Sequence, residues 1–184
     1  MSPSQFPLPK RPPKFYNLSM KEKLHKTNAA RHLDGLGIVY RLVPYAVDES
    51  DVSALHVAAA AGENIDQVYK TLVLRGDKTG YFVCVIPGAA ELDLKAAARA
   101  SGNKSCEMLH VKDLLPVTGY IRGGCSPLGM KKAFPTFIQE DCLLWDFIFV
   151  SAGKRGLQIR IAPADLLRAA AAQTAALCAT RPAH

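Results

Sequence analysis

Two places in the sequence carry residues whose types and spacing could do chemistry. The first is Lys70, set in the otherwise apolar run "QVYKTLVL" (67–74). An ammonium there is costly unless it reaches an anion or water. It either points into a cleft or snorkels to solvent from a strand end. The second is "TGYIRGGCSPLGMKK" (118–132), which sets four glycines and three basic residues around Cys125 and Ser126. A catalytic thiol needs a base or a positive field to become a thiolate. Arg122, Lys131 and Lys132 offer the field, but no histidine is near in sequence. Ser126 lies in GGCSPLG rather than GxSxG, and Pro127 opposes the strand-to-helix turn of a nucleophile elbow. The competing reading is an anion cradle, because Gly123, Gly124 and Gly129 free the backbone to turn several N–H groups one way. The GxxxxGK[ST] pattern of a P-loop is absent. On composition alone, a glycine-rich structural turn and a ligand loop are equally good readings.

The elements that must position these residues can be read from caps, periodicity and turn signals. Thr27 can cap a helix over "NAARHLDGLG", closed by Gly35 or Gly37. "IVYRLVPY" reads as a strand ending near Tyr45, and "SALHVAAAAG" as a helix stopped by Gly62. "QVYKTLVLR" and "GYFVCVIP" are strands joined at Gly76 and Asp77. Asp93 caps a helix over "DLKAAARASG", and a short strand around "SCEML" leads into the glycine loop. "FPTFIQ" and "WDFIFVS" are two further strands. The second is joined to "LQIRI" by "AGKRG", a charged hairpin tip that can also edge a ligand groove. Pro163 opens a terminal helix expected over "ADLLRAAAAQTAALC". Strands and helices intermix without strict βαβ alternation, which predicts an α+β fold with one mixed or antiparallel sheet.

The chain of 184 residues is 49% hydrophobic and 21% charged, as expected of one globular domain. No apolar run approaches the roughly 20 residues of a membrane span, and the first residues lack the apolar stretch of a secretory signal. Five widely spaced cysteines without a CxxC pair support neither a zinc cage nor a disulfide framework, and fit reduced thiols in the cytoplasm. The five histidines form no metal-ligand spacing, so neither a metal nor a cofactor is expected. Residues 1–26 hold six Lys or Arg against Glu22 alone, so they contribute +5 of the net +7. They read as a basic, proline-rich arm before a domain at 27–184. Such a balance favours a polyanionic partner, although a plain solvated tail is the commoner reading of a charge run.

"QVYKTLVL", "LDLKAAARASG", "TGYIRGGCSPLGMKK" and "VSAGKRGLQIRIAPADL", in this order, resemble the YbaK/EbsC family of aminoacyl-tRNA deacylases. The similarity covers about residues 27–177 and is greatest to the Cys-tRNA(Pro) branch, relatives of the editing domain of prolyl-tRNA synthetases. It implies a mixed, strongly curved, partly barrel-like central sheet surrounded by helices. It also implies cleavage of the ester between a mischarged amino acid and the terminal ribose of tRNA, without a protein nucleophile. For a cysteinyl substrate, the substrate's own thiol would attack its ester and leave as a thiolactone.

Carried over by position, the resemblance implies that Lys70 binds the 3′-terminal nucleotide or the ester. Gly123 and Gly124 would hold the carbonyl through their backbone, and Thr71 would line the same pocket. Tyr45 would contact the aminoacyl group or adenosine, and Ser151 would be a further pocket residue. Thr118, Tyr120 and Ser126 belong to the loop motif and would support its shape, while Cys125 would be incidental. Ala152 stands where many relatives have a second glycine, and Gln158 where many have an acidic or small residue, which bears on fine substrate preference. Aminoacyl-tRNA is the implied partner, with prolyl-tRNA synthetase beside it. Deacylation of Ala- or another small aminoacyl-tRNA, and a non-catalytic tRNA-binding module, are the competing functions.

Overall fold

This computed structural model describes residues 26–179. Apart from Lys26, the basic arm expected at 1–26 lies outside the described residues. Three of the helices begin where a side chain satisfies the first free N–H groups. Thr27 accepts from Ala30 N and opens α1 (Asn28–Gly35). Ser53 accepts from His56 N and opens α2 (Ala54–Ala61), and Asp93 accepts from Lys95 N and Ala96 N at α3 (Leu94–Ala100). Each such cap typically contributes ~1 kcal/mol. Gly62, at φ 71, ends α2 in the left-handed region that glycine occupies without strain.

The strands are β1 (Arg41–Pro44), β2 (Tyr69–Gly76), β3 (Gly80–Pro87), β4 (Cys106–Met108), β5 (Thr136–Gln139), β6 (Ile148–Lys154), β7 (Leu157–Ile161) and β8 (Gln173–Ala175). They form two sheets, ordered β1-β7-β6 and β4-β2-β3-β5-β8. Pairing is antiparallel except at β3–β5 and β5–β8. The single curved, partly barrel-like sheet expected from the sequence is therefore replaced by two, and neither closes on itself. Their edges meet at one isolated bridge, Val68 to Phe149. Val73, Val83, Val85 and Ile138 of one sheet pack with Ile148, Val150, Ile159 and Ile161 of the other in one buried cluster. That contact joins the sheets through faces rather than through a shared ladder.

β3 shows why the longer strands are apolar throughout. Successive side chains point to opposite faces; Val83 and Val85 enter the main cluster, whereas Phe82, Cys84 and Ile86 enter a second one with Ala97 and Leu177. Both faces of this strand are covered. Across the hairpin, Lys70 pairs with Ile86 and Thr71 with Val85.

Two segments differ from the sequence reading. A helix, α4 (Val111–Thr118), precedes the glycine loop and carries Pro116 inside it. The expected long terminal helix stops early, as α5 (Pro163–Ala169). Ala171 takes φ 47 and the chain turns into β8, parallel to β5. Gln139 Oε1 accepts from Leu177 N at 2.7 Å and Cys178 N at 3.1 Å, and Leu177 is fully buried. Burial of one leucine and a strand pairing outweigh the helix propensity of the alanines. No helix among the described residues is long and apolar enough to cross a membrane.

Candidate active site

The two sheets diverge beside the Val68–Phe149 bridge, and a cleft of about 330 Å³ opens there. Its walls come from the first turn of α2 (Val52 to Leu55), the start of β2 with Lys70 and Thr71, and Gly88 just after β3. Tyr45 beyond β1, Gln158 of β7, and Arg122, Gly123 and Cys125 of the loop complete it. Its size lies in the range of small-ligand sites. Two cations, Lys70 and Arg122, face it, and no carboxylate lines it.

Lys70 sits half-buried, and its Nζ donates to the carbonyl oxygen of Gly88 at 3.0 Å. Burial pulls its pKa below the ordinary lysine value, opposed by the charges of Cys178 and Glu91. Gly88 is held by its own N–H, which donates to Val68 O at 2.7 Å. A Cβ at Gly88 would lie 2.5 Å from Ala54 Cβ. Only glycine lets this carbonyl sit between α2 and β2, a requirement with no obvious signal in the sequence beyond the Pro87-Gly88 turn.

The glycine loop is built as a tight turn against the β6–β7 hairpin. Gly124 N donates to Ile121 O at 3.0 Å, with Gly123 at φ 83 in the third position, the geometry that glycine suits in a type II turn. Arg155 Nε donates to Arg122 O at 2.9 Å from the hairpin tip. A Cβ on Gly124 would lie 3.1 Å from Lys154 Cα and 3.2 Å from Arg155 N. The two glycines thus divide: Gly123 lines the cleft, whereas Gly124 is buried, commits its N–H to the turn and admits the hairpin backbone. The charged tip of "AGKRG" clasps the loop instead of standing free.

Thr118, Tyr120 and Ser126 lie beneath the loop and do not line the cleft. Thr118 Oγ1 donates to Leu114 O and accepts from Tyr120 N. Tyr120 OH donates to Leu128 O at 2.6 Å, and Ser126 Oγ accepts from Leu128 N. Ser151 also sits outside the cleft, at the β6 bulge, where its Oγ accepts from Gly153 N. Cys125 reaches the cleft, but burial pushes its thiol up to about 12, with a smaller opposite effect from Thr118. Burial of this kind favours the protonated thiol and lowers its reactivity.

Thr71 Oγ1 and Gln158 Oε1 are enclosed without a hydrogen-bond partner in the protein, and both residues belong to the cleft wall. Buried polar atoms of this kind cost free energy unless something pairs with them. Among the described residues, no group of three His, Cys, Asp or Glu side chains could hold a metal ion.

Residues 48–169 match the aminoacyl-tRNA editing domain family. EbsC of Enterococcus faecalis, by name a candidate Cys-tRNA(Pro)/Cys-tRNA(Cys) deacylase, is 51% identical over 150 residues, 82% of this chain and 92% of that protein. A solved structure of a candidate trans-editing enzyme for prolyl tRNA synthetase superposes with a TM-score of 0.74 at 27% identity, over 83% of this chain and 96% of that one. A hypothetical protein at 19% identity, with a TM-score of 0.75 over 83% of this chain and 99% of its own, shares the fold. All cleft residues except Tyr45 fall within the matched segment. The chain belongs to the aminoacyl-tRNA editing domain family.

Proposed function

We propose that this protein is a trans-editing deacylase that clears cysteine mischarged onto tRNA(Pro), acting in the cytoplasm beside prolyl-tRNA synthetase. The observation that carries the reading is the convergence of Lys70, Thr71, Tyr45 and Gly123 on one small cleft in a member of an editing family. Cysteine and proline have similar volumes, and small differences of fit discriminate by only about 1–3 kcal/mol. A second, hydrolytic check is the general remedy.

In the proposed reaction, the substrate thiolate attacks its own ester carbonyl. A sulfur–carbon bond forms, the carbon–oxygen bond to the ribose breaks, and the ribose oxygen takes up a proton. The products are a thiolactone and deacylated tRNA. The protein holds the aminoacyl end so that thiol and carbonyl meet, and such positioning can contribute about 7–11 kcal/mol. The Lys70 ammonium supplies positive charge to the terminal phosphate or the developing oxyanion, and Tyr45, Thr71 and Gly123 shape the surrounding wall. Gly124 acts through the turn, and Thr118, Tyr120, Ser126 and Ser151 act through support of the loop and hairpin. The segment 1–26 brings further positive charge to the same polyanion.

The test is deacylation of tRNA(Pro) charged with Cys, Ser, Ala or Pro, with a chemical trap for released thiolactone. Cys-tRNA(Pro) is expected to be cleared much faster than Ser-tRNA(Pro), because a hydroxyl is far less ionised than a thiol near neutral pH. Equal rates for the two, with no thiolactone, would replace cyclisation with attack by water. Faster clearance of Ala-tRNA(Pro) would move the protein to the alanine branch, and no clearance of any would leave a tRNA-binding module.

A further inference from the structure

The two rims of the cleft carry opposite charge. The rim leading into α2 presents Asp48, Glu49 and Asp51, all exposed, just before the cleft residues Val52 and Ser53. The opposite rim is basic. Arg122 lines the cleft itself, Arg155 is fastened to the Arg122 carbonyl, and exposed Lys154 packs its backbone against Gly124. The rims meet at Val52 and Gly123, whose side-chain position would be 2.9 Å from Val52 Cβ. Among the described residues, the ion pairs are Lys26–Asp34 and Arg168–Asp165, so neither rim is neutralised by a direct salt bridge.

We propose that the basic rim of Arg122, Lys154 and Arg155 carries the phosphates of the tRNA acceptor strand, and that the acidic rim excludes them. The inference rests on the deacylase reading for the identity of the polyanion. Phosphates crossing the basic rim gain attraction and release counterions. The same strand laid across Asp48, Glu49 and Asp51 would meet like charge at close range. The substrate therefore enters from one side only, which sets its aminoacyl end in a single orientation relative to Lys70. Lys154 is a phosphate contact, and Glu49 is a repulsive guide.

The test compares wild type, Lys154→Gln and Glu49→Gln. Each is measured for equilibrium binding of uncharged tRNA(Pro) across a salt series, and for cleavage of a small ester, cysteinyl-adenosine. Lys154→Gln should bind tRNA more weakly and lose about 0.7 from the log–log salt slope, the contribution of one phosphate contact. Glu49→Gln should bind tRNA more tightly. Small-ester cleavage should be the same in all three, because none of these side chains reaches the cleft. A Lys154→Gln variant with wild-type affinity and slope would overturn the rim, as would a Glu49→Gln variant that binds more weakly. Failure of the wild type to clear Cys-tRNA(Pro) would instead overturn the deacylase reading, and the binding series would still decide the rim.

Discussion

The ammonium of Lys70 is anchored on the carbonyl oxygen of Gly88, 3.0 Å away, across the end of the β2–β3 hairpin. One hydrogen bond therefore links the most chemically expensive side chain of the cleft to its most sterically constrained residue. Neither works without the other in this geometry.

Gly88→Ala should displace that anchor. The new Cβ would lie 2.5 Å from Ala54 Cβ and 3.1 Å from Val68 O, an overpacking that typically costs about 1–3 kcal/mol. Activity should fall with stability, and Ala54→Gly in the same chain should restore part of the activity by vacating the contact. Thermal unfolding and deacylation of the single and double variants measure both.

Lys70→Met should separate stability from activity. Burial disfavours the charged lysine, so its folded pKa lies below the unfolded value of 10.5. The resulting stability cost is fully present at neutral pH and is relieved as pH rises through the folded pKa. Methionine removes the cost, so the melting temperature should hold or rise while deacylation drops by about 10²–10³-fold. In the wild type, activity that depends on the ammonium should decline on the alkaline side below pH 10.5, seen in a pH–rate profile.

Cys125→Ala should leave deacylation within a few fold of wild type. The thiol, pushed up to about 12 by burial, should also resist iodoacetamide in the native protein at pH 7 and react once the chain is unfolded. A loss of about 10²–10⁴-fold, the range for a positioned catalytic group, would return Cys125 to the mechanism.

Arg155→Ala should release the Arg122 carbonyl and loosen the turn that holds Gly123. The expected effect is a fall of about tenfold in kcat with faster amide exchange at residues 122–125. Arg155→Lys should recover part of it, since an ammonium on a long stem can still donate to a carbonyl. Equal kcat in wild type and Arg155→Ala would reduce the clasp to a surface contact.

Much of this arrangement was legible before the structure. Thr27, Ser53 and Asp93 mark helix starts by chemistry that acts within three residues, and the β2–β3 hairpin follows from two apolar runs around a Gly-Asp turn. The errors arose where distant partners decide. Nothing near Ala170 reveals that Gln139, more than thirty residues away, captures the backbone of Leu177 and Cys178 and turns an alanine-rich run into a strand. Proline usually breaks a helix interior, yet α4 tolerates Pro116 two residues before its end. At the site, Lys70 stood out because its charge interrupts an apolar strand. Gly124 also stood out, but for a different cause: its missing side chain makes room for the Lys154 backbone, and the sequence does not distinguish a glycine that admits a ligand from one that admits another strand.

The single bridge between Val68 and Phe149 has a mechanical consequence. The walls carrying Lys70 and Gln158 belong to separate ladders, so away from that bridge their spacing is set by the volume of side chains between the sheets. The gauge of the cleft can be altered a methylene at a time from inside the core, at Val150 or Ile159, without touching a residue that meets substrate. The cleft thereby has a fine adjustment hidden away from its own surface.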